Sequence, residues 1–426
     1  MYFFYSALLT VAAIVGSPYF LIKGLRERKY LRNFRQRLGA LPDFRLSERP
    51  VWIHAVSVGE VLAARPLLSA IRSARGNFPV VVSTVTLTGQ SLAEKELANA
   101  DRIIYFPFDW RFCVRRFLDR IRPRLVILLE TELWPNFLHE CCRRMIPVSL
   151  ANGRISDRSF GRYRRLRFLT RTMLRQLQVI GAQTEEDKRR FVALGGEAQR
   201  VRVTGNLKFD FPTPEIDPDS ELLRQLRDYL HLQLGTPVIV MGSTMKGEEP
   251  FLLTAYRVVR RHIPQARLII APRHPERFDE VNAFVAALGL PFRRRTDLGP
   301  AVGETGDVLL LDTIGELRAV YSLASVAVIG GSFLPYGGHN LLEPAALGKA
   351  IVFGQEMTNF REMAHVFLRE QAARQCTLET LPETLCELLQ DADARQLLGH
   401  KALRTVRQNQ GATESTMASL RPFIDA

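Results

Sequence analysis

The chain of 426 residues has few cysteines and no pattern among them: Cys113, Cys141, Cys142, Cys376 and Cys386 form no C-x-x-C pair. An odd, scattered set argues against a disulfide framework or a zinc ribbon and for reduced thiols in a cytosolic compartment. No G-x-x-x-x-G-K-S/T occurs, and no G-x-G-x-x-G follows the first strand-like run, which removes support for P-loop and dinucleotide readings. Two Asp-x-Asp triplets, Asp217/Asp219 and Asp391/Asp393, both lie away from strand exits, so no metal is expected. Short-period repeats and low-complexity segments are absent too. Acid is in deficit: 44 Asp and Glu face 58 Lys and Arg, a formal net charge of +14. Such an excess points to an anionic partner, whether nucleic acid, membrane surface or phosphorylated substrate.

Charge is missing altogether from residues 1–22, MYFFYSALLTVAAIVGSPYFLI. A bilayer span takes ~20 apolar residues, so this run is expected to be a membrane anchor. It has no basic region before it and no small-x-small cleavage site, unlike a removed signal peptide. Gly16 and Pro18 leave open a shallower, monotopic insertion. Residues 23–48 follow as a basic juxtamembrane segment, with seven Lys/Arg and one acid between Lys23 and Arg37. The positive-inside rule puts that flank, and the body after it, on the cytoplasmic side.

From residue 49 onward, apolar strand-length runs alternate with amphipathic helical stretches. VWIHAVSV, PVVVSTVTLTG, RIIYFPF, RLVILLE, PVSLAN, QVIGAQT and RVRVTGN read as strands of one parallel sheet over residues 49–208. Residues 209–220 carry three prolines and several acids and read as a linker. From 221 to 426 the alternation resumes with TPVIVMGST, ARLIIAPRH, DVLLLDT, SVAVIGGSF and KAIVFG, then turns helical after about 358. The fold class is α/β: two Rossmann-like domains facing a cleft, with ligands at the carboxyl ends of the strands.

The strand exits of the second half are rich in nucleotide-binding chemistry. APRHPERF brings Pro272 and Arg273, LDTIGEL starts a helix at Gly315, and IGGSFLPYGGHNLLEP opens another near Asn340 with Glu343 one turn in. Open backbone N–H groups beside an arginine suit a phosphate, and a carboxylate suits a ribose diol. In the first half, Glu60 follows the first strand, and Glu130 and Glu132 follow a buried-looking one. Glu60 has two readings on position alone: an acid favoured by the helix dipole, or a base whose pKa an apolar cleft raises. Eight arginines between Arg154 and Arg175 face one acid, Asp157, and six more lie between Arg111 and Arg124. With an anchor nearby, anionic lipid is the economical partner for them, and nucleic acid is not expected.

HAVSVGE, ETELWPN, NGRISDRS, GNLKFD, APRHPERF and GGHNLLEP, in this order, resemble the 3-deoxy-D-manno-octulosonic acid (Kdo) transferases, GT-B glycosyltransferases of lipopolysaccharide synthesis. The resemblance implies inverting, metal-independent transfer of Kdo from CMP-Kdo to a lipid A precursor (lipid IVA), at the cytoplasmic face of the inner membrane. It implies Glu60 as general base, with Glu130 and Lys208 stabilising the transition state. CMP contacts would fall on Pro272 and Arg273, on Ile314, Gly315 and Glu316, and on Asn340, Leu341, Leu342 and Glu343. Arg154, Arg158, Arg162, Arg164 and Arg165 would meet the acceptor and membrane phosphates. No cofactor is implied beyond the donor itself. Two alternatives remain: another GT-B enzyme using a UDP-sugar, or a membrane-anchored lipid- or RNA-binding protein whose sheets are only scaffold.

Overall fold

A computed structural model describes residues 2–26, 33–41, 46–74, 78–210, 216–299 and 305–425. The chain divides into two compact units, Met1–Phe211 with Asn409–Ala426, and Pro212–Gln408. The first unit is built on seven strands: β1 (Val51–His54), β2 (Val80–Thr84), β3 (Arg102–Tyr105), β4 (Leu125–Leu129), β5 (Val148–Gly153), β6 (Ile180–Ala182) and β7 (Val201–Val203). Their order is β3-β2-β1-β4-β5-β6-β7 and every pairing is parallel. Residues of β1 alternate between the two faces. Trp52 joins Phe106, Phe117 and Phe137 on one side, while Val51 and Ile53 pack with Ala63, Ala64 and Leu67 on the other. Both faces are covered, which is why these strands read as unbroken apolar runs. The indole of Trp52 is fully buried and donates to Ser83 Oγ at 2.8 Å, so its loss would destabilise the unit by ~3–5 kcal/mol.

Helix α1 (Tyr2–Arg26) corrects the expectation of a spanning anchor: no helix among the described residues is long and apolar enough to cross a membrane. The physical reason is that one side of α1 is polar and bound to protein. Tyr2 stacks on His139 and its hydroxyl accepts from Gln176, while Tyr5 bonds to Asp109. Ser6 accepts from Asn136 at 2.9 Å, and Thr10 from the Trp110 indole at 3.2 Å. Phe3, Phe4, Leu8, Val11, Ile14 and Val15 form the exposed opposite side. Part of the basic segment after it, 27–32, lies outside the described residues, as does 211–215 of the expected linker. Helix α2 (Val58–Ser73) follows β1, α3 (Pro135–Arg143) follows β4, and α4 (Asp157–Arg165) follows β5.

The second unit carries β8 (Val238–Thr244), β9 (Arg267–Pro272), β10 (Phe292–Arg294), β11 (Val308–Leu310), β12 (Val326–Ile329), β13 (Ala350–Phe353) and β14 (Arg374–Gln375). Their order is β10-β11-β9-β8-β12-β13-β14, again all parallel. β10 and β14 are short, exposed-edge strands that carry no long apolar run, and the sequence pattern does not mark them. Helix α5 (Glu249–His262) follows β8, and the five-residue α6 (Leu342–Ala346) precedes β13.

The final helix, α7 (Ala412–Ile424), lies in the first unit, whereas the sequence assigns everything from 221 to 426 to the second domain. Its Ala412, Leu420 and Ile424 fill the same core face as Ala63, Leu67 and Leu207. Arg124 fixes its far end by donating to the Ile424 carbonyl at 2.8 Å. A helical pattern shows that α7 forms but does not show which sheet it covers.

Candidate functional site

At the exit of β1 the chain turns into α2 through Ser57, whose Oγ accepts from the Glu60 N–H and so caps the helix. Glu60 returns the favour: Oε1 accepts from the Ser57 hydroxyl at 2.9 Å and Oε2 from the Val56 N–H at 2.7 Å. The capping role is therefore real, in the manner of a capping box. It is not the whole environment, because Glu60 is only 4% exposed. Burial pushes its carboxyl up to about 8, with the negative charge of Glu130 adding to the effect and the Val56 N–H opposing it.

Glu130 stands one residue past β4, the neighbour of β1, with φ 55. That left-handed conformation costs a non-glycine residue about 1–3 kcal/mol and is typical of functional turns. Its N–H donates to Ala151 O, and its Oε1 accepts from Lys208 Nζ at 2.9 Å. Lys208 comes from the 3-10 turn Leu207–Phe209, which two asparagines hold. Asn152, itself at φ 57, accepts from Leu207 N–H at 3.0 Å, and Asn206 accepts from Lys208 N–H at 3.0 Å. A Cβ at Gly59 would sit 3.3 Å from Lys208 Nζ, so the ammonium lies against the first turn of α2, beside Glu60. β1 and β4 flank the point where the strand order reverses, the usual ligand crevice of such sheets. The three residues expected to act together are thus together. Glu132, to which no role was assigned, belongs with them: burial and then the charge of Glu130 raise its pKa, and it also pushes up Glu60. Its place in ETELWPN was the available signal.

In the second unit, Pro272 ends β9 and the exposed Arg273 follows, its N–H bonded to Thr244 O at 3.0 Å. Arg273 and His274 both depress His339, after the larger effect of burial, to about 4. The β9 exit and the GGHNLLEP turn therefore share one neighbourhood. Within that turn Asn340 Oδ1 accepts from Leu342 N–H at 3.0 Å. Leu341 and Leu342 are buried, which leaves only their backbone for a ligand. Burial, and then the charge of nearby Glu343, raise the Tyr321 phenol. Ile314 is 65% exposed and Gly315 has φ +97, but Glu316 is engaged by Arg295 at 3.3 Å and by the Thr313 hydroxyl.

Contrary to expectation, the glycine turn after β12 does not present open N–H groups to a phosphate. Glu248, fully buried, accepts from Gly331 N–H at 2.7 Å, Met245 N–H at 2.9 Å and Phe333 N–H at 3.0 Å. Its neighbour Glu249 is equally buried and is gripped by both Arg277 and the Thr244 hydroxyl. These two carboxylates tie the exits of β8, β9 and β12 together, and neither drew attention in the sequence.

The arginines also sort themselves. Arg158, Arg162, Arg164 and Arg165 on α4 are exposed and interleave with exposed Leu166 and Phe168, while Arg154 is half-buried. Between Arg111 and Arg124 the charges are largely spent inside the unit. Arg111 and Arg115 bond to buried Glu140 at 2.8 and 3.0 Å, and Arg124 binds Ile424 O. Asp217 and Asp391 make local turns, accepting from Asp219 N–H at 2.9 Å and Ala394 N–H at 2.8 Å. All five cysteines are unpaired thiols.

Comparison with known proteins bears on this geometry. Residues 32–211 match the family model of 3-deoxy-D-manno-octulosonic-acid transferase (kdotransferase). The chain is 30% identical to the 3-deoxy-D-manno-octulosonic acid transferase of Haemophilus influenzae, over 99% of each chain. It is 35% identical to that of Bordetella pertussis, over 88% of this chain and 87% of the relative. Among solved structures, a putative UDP-N-acetylglucosamine 2-epimerase of Listeria monocytogenes superposes with a TM-score of 0.54 at 12% identity, covering 88% of this chain and 96% of that one. At that identity the likeness concerns the two-sheet fold alone. The motif order, the strand-exit carboxylates and the full-length identity agree: this chain belongs to the 3-deoxy-D-manno-octulosonic acid transferase family and is a glycosyltransferase.

Proposed function

We propose that this enzyme transfers Kdo, with inversion, from CMP-Kdo to a hydroxyl of a lipid A precursor such as lipid IVA in lipopolysaccharide synthesis, and that Glu60 is its general base. The observation that carries the reading is the grouping of Glu60, Glu130 and Lys208 at the β1/β4 exits, with Glu60 raised to about 8. Near neutrality a carboxylate of that basicity accepts a hydroxyl proton far better than an ordinary one. As Glu60 takes the proton, the acceptor oxygen bonds to the anomeric carbon of Kdo. The bond from that carbon to the CMP phosphate oxygen breaks, and CMP departs with the electron pair. The Lys208–Glu130 pair supplies a fixed charge arrangement for the positive character that develops at the sugar.

On the second unit, Arg273 is the group suited to the donor phosphate, since the β12 turn has its N–H groups occupied by Glu248. Pro272, Ile314, Gly315 and the backbone of Asn340–Leu342 would shape the nucleotide pocket, and Glu343 or Glu316 would accept from ribose hydroxyls. We further propose that the reaction is metal-independent and takes place at the inner membrane. The exposed apolar side of α1 and the arginines of α4 would lie on an anionic surface there.

The test is transfer of Kdo from CMP-Kdo to a lipid A precursor in mixed micelles, with and without chelator. Transfer that persists in chelator supports both reaction and metal independence. Preference for UDP over CMP in competition would refute the donor assignment.

A further inference from the structure

The chain leaves the first unit immediately after the GNLKFD turn and returns to it at Asn409. Asp210, the last residue of that motif, accepts from two backbone N–H groups where the chain returns. Its Oδ1 accepts from Gly411 N–H at 2.8 Å and its Oδ2 from Thr413 N–H in the first turn of α7. Next to it, a Cβ at Gly205 would lie 3.1 Å from Ala412 Cβ, so the backbone before Lys208 also lies directly on α7. Leu207, on the other side of Lys208's own turn, is buried in one core with Ala412, Leu420 and Ile424. The three-residue turn has few bonds of its own, and it must hold a flexible lysine 2.9 Å from a strained glutamate.

We infer that Asp210 is a positioning residue for the reaction: by clasping the start of α7 it fixes the turn that places Lys208 against Glu130. Asn152 holds the turn from β5, Asn206 caps it, and Asp210 holds it from the side of the returning helix. Remove the carboxylate and two helix-start N–H groups lose their acceptor, while the Lys208 turn loses its tie to α7. Displacement of a catalytic group by about 1 Å is enough to cost ~100-fold in rate.

This inference rests on the Kdo-transfer reading for its kinetic arm, so a second arm is independent of activity. In the full-length enzyme, Asp210→Ala is expected to lower kcat ~10–100-fold with the CMP-Kdo KM changed less than about twofold. Asp210→Asn, which keeps one acceptor oxygen, is expected to fall between it and wild type. Combined with Lys208→Ala, Asp210→Ala should have almost no further effect, because its action runs through the lysine. In parallel, acylation of Lys208 by an amine-reactive ester, followed by mass spectrometry, should quicken in Asp210→Ala relative to other lysines. Unchanged kcat in Asp210→Ala, an undiminished effect on top of Lys208→Ala, or an unchanged acylation rate would each overturn it. Should wild type transfer no Kdo, the proposed function fails, and the acylation rates in the Ala and Asn variants still decide whether Asp210 holds Lys208.

Discussion

Each of the two sheets has its own crevice, and the two are filled in opposite ways. In each, the strand order reverses beside the first strand, between β1 and β4 in one unit and between β8 and β12 in the other. In each, a glutamate from the first turn after that strand is buried at the reversal: Glu60 and Glu248. Burial raises the pKa of both. Glu248, however, spends its oxygens on backbone N–H groups from both strand exits and becomes a tie within the protein. Glu60 takes only two local bonds, from the Val56 N–H and the Ser57 hydroxyl, has the charge of Glu130 nearby, and keeps a raised pKa. Side by side, the acid that gathers donors from two strand exits acts as a tie, whereas the one near other acids is placed to serve the proposed proton transfer.

That contrast can be broken by experiment. The largest effect is expected from Glu60→Gln, which should lower kcat by ~10²–10⁴ while leaving the fold intact. Equal activity with wild type would make Glu60 a second Glu248. Glu248→Ala should do the reverse. It strands three N–H groups, one buried and two part-buried, so calorimetry is expected to show a loss on the order of 3 kcal/mol, with Kdo transfer surviving at low temperature. Next, kcat/KM should climb about tenfold per pH unit up to a bend near 8. Absence of that bend would remove Glu60 from the proton transfer.

A smaller effect separates the same two states thermodynamically. Because the folded pKa of Glu60 lies above the ordinary 4.5, the folded state keeps a proton that the unfolded chain releases. Wild type should therefore lose stability relative to Glu60→Gln by roughly 1.4 kcal/mol per pH unit as pH rises from about 4.5 to 8, and the gap should then level off. A gap independent of pH would contradict the raised value. Smallest of all, replacing Arg164 and Arg165 by Ala should weaken binding to anionic vesicles by about 1 kcal/mol per arginine at low salt. Neutral vesicles should show no difference.

The alternation of strands and helices, the strand-exit positions of Glu60, Glu130, Arg273 and Asn340, and the family itself were legible in the sequence. Parallel strands buried on both faces have only one composition to draw on, so β1 and β4 stand out. What was not legible depended on partners far along the chain. Arg111 and Arg115 looked like free charge until Glu140, buried on α3, was seen to take both. Residues 1–22 looked like a span because a window of apolar residues conceals that Tyr2, Tyr5, Ser6 and Thr10 share one helical side. Glu248 and Glu249 read as an unremarked helix start, since nothing local says that a loop more than eighty residues away will supply N–H groups to the first, or that Arg277 will grip the second. Nor could a helical pattern at the C-terminus say which sheet it would complete.

The return of α7 bears on synthesis. Domains generally fold as they emerge from the ribosome, the N-terminal one first. Here the first unit reaches the end of β7 with a gap in its core where Ala412, Leu420 and Ile424 belong. About two hundred residues must be translated before the missing piece appears, by which time the second unit has its entire sequence in hand. The first domain to be made is the last to be finished, and the turn bearing Lys208 gains its contact with Gly411 and Thr413 only when the final helix docks.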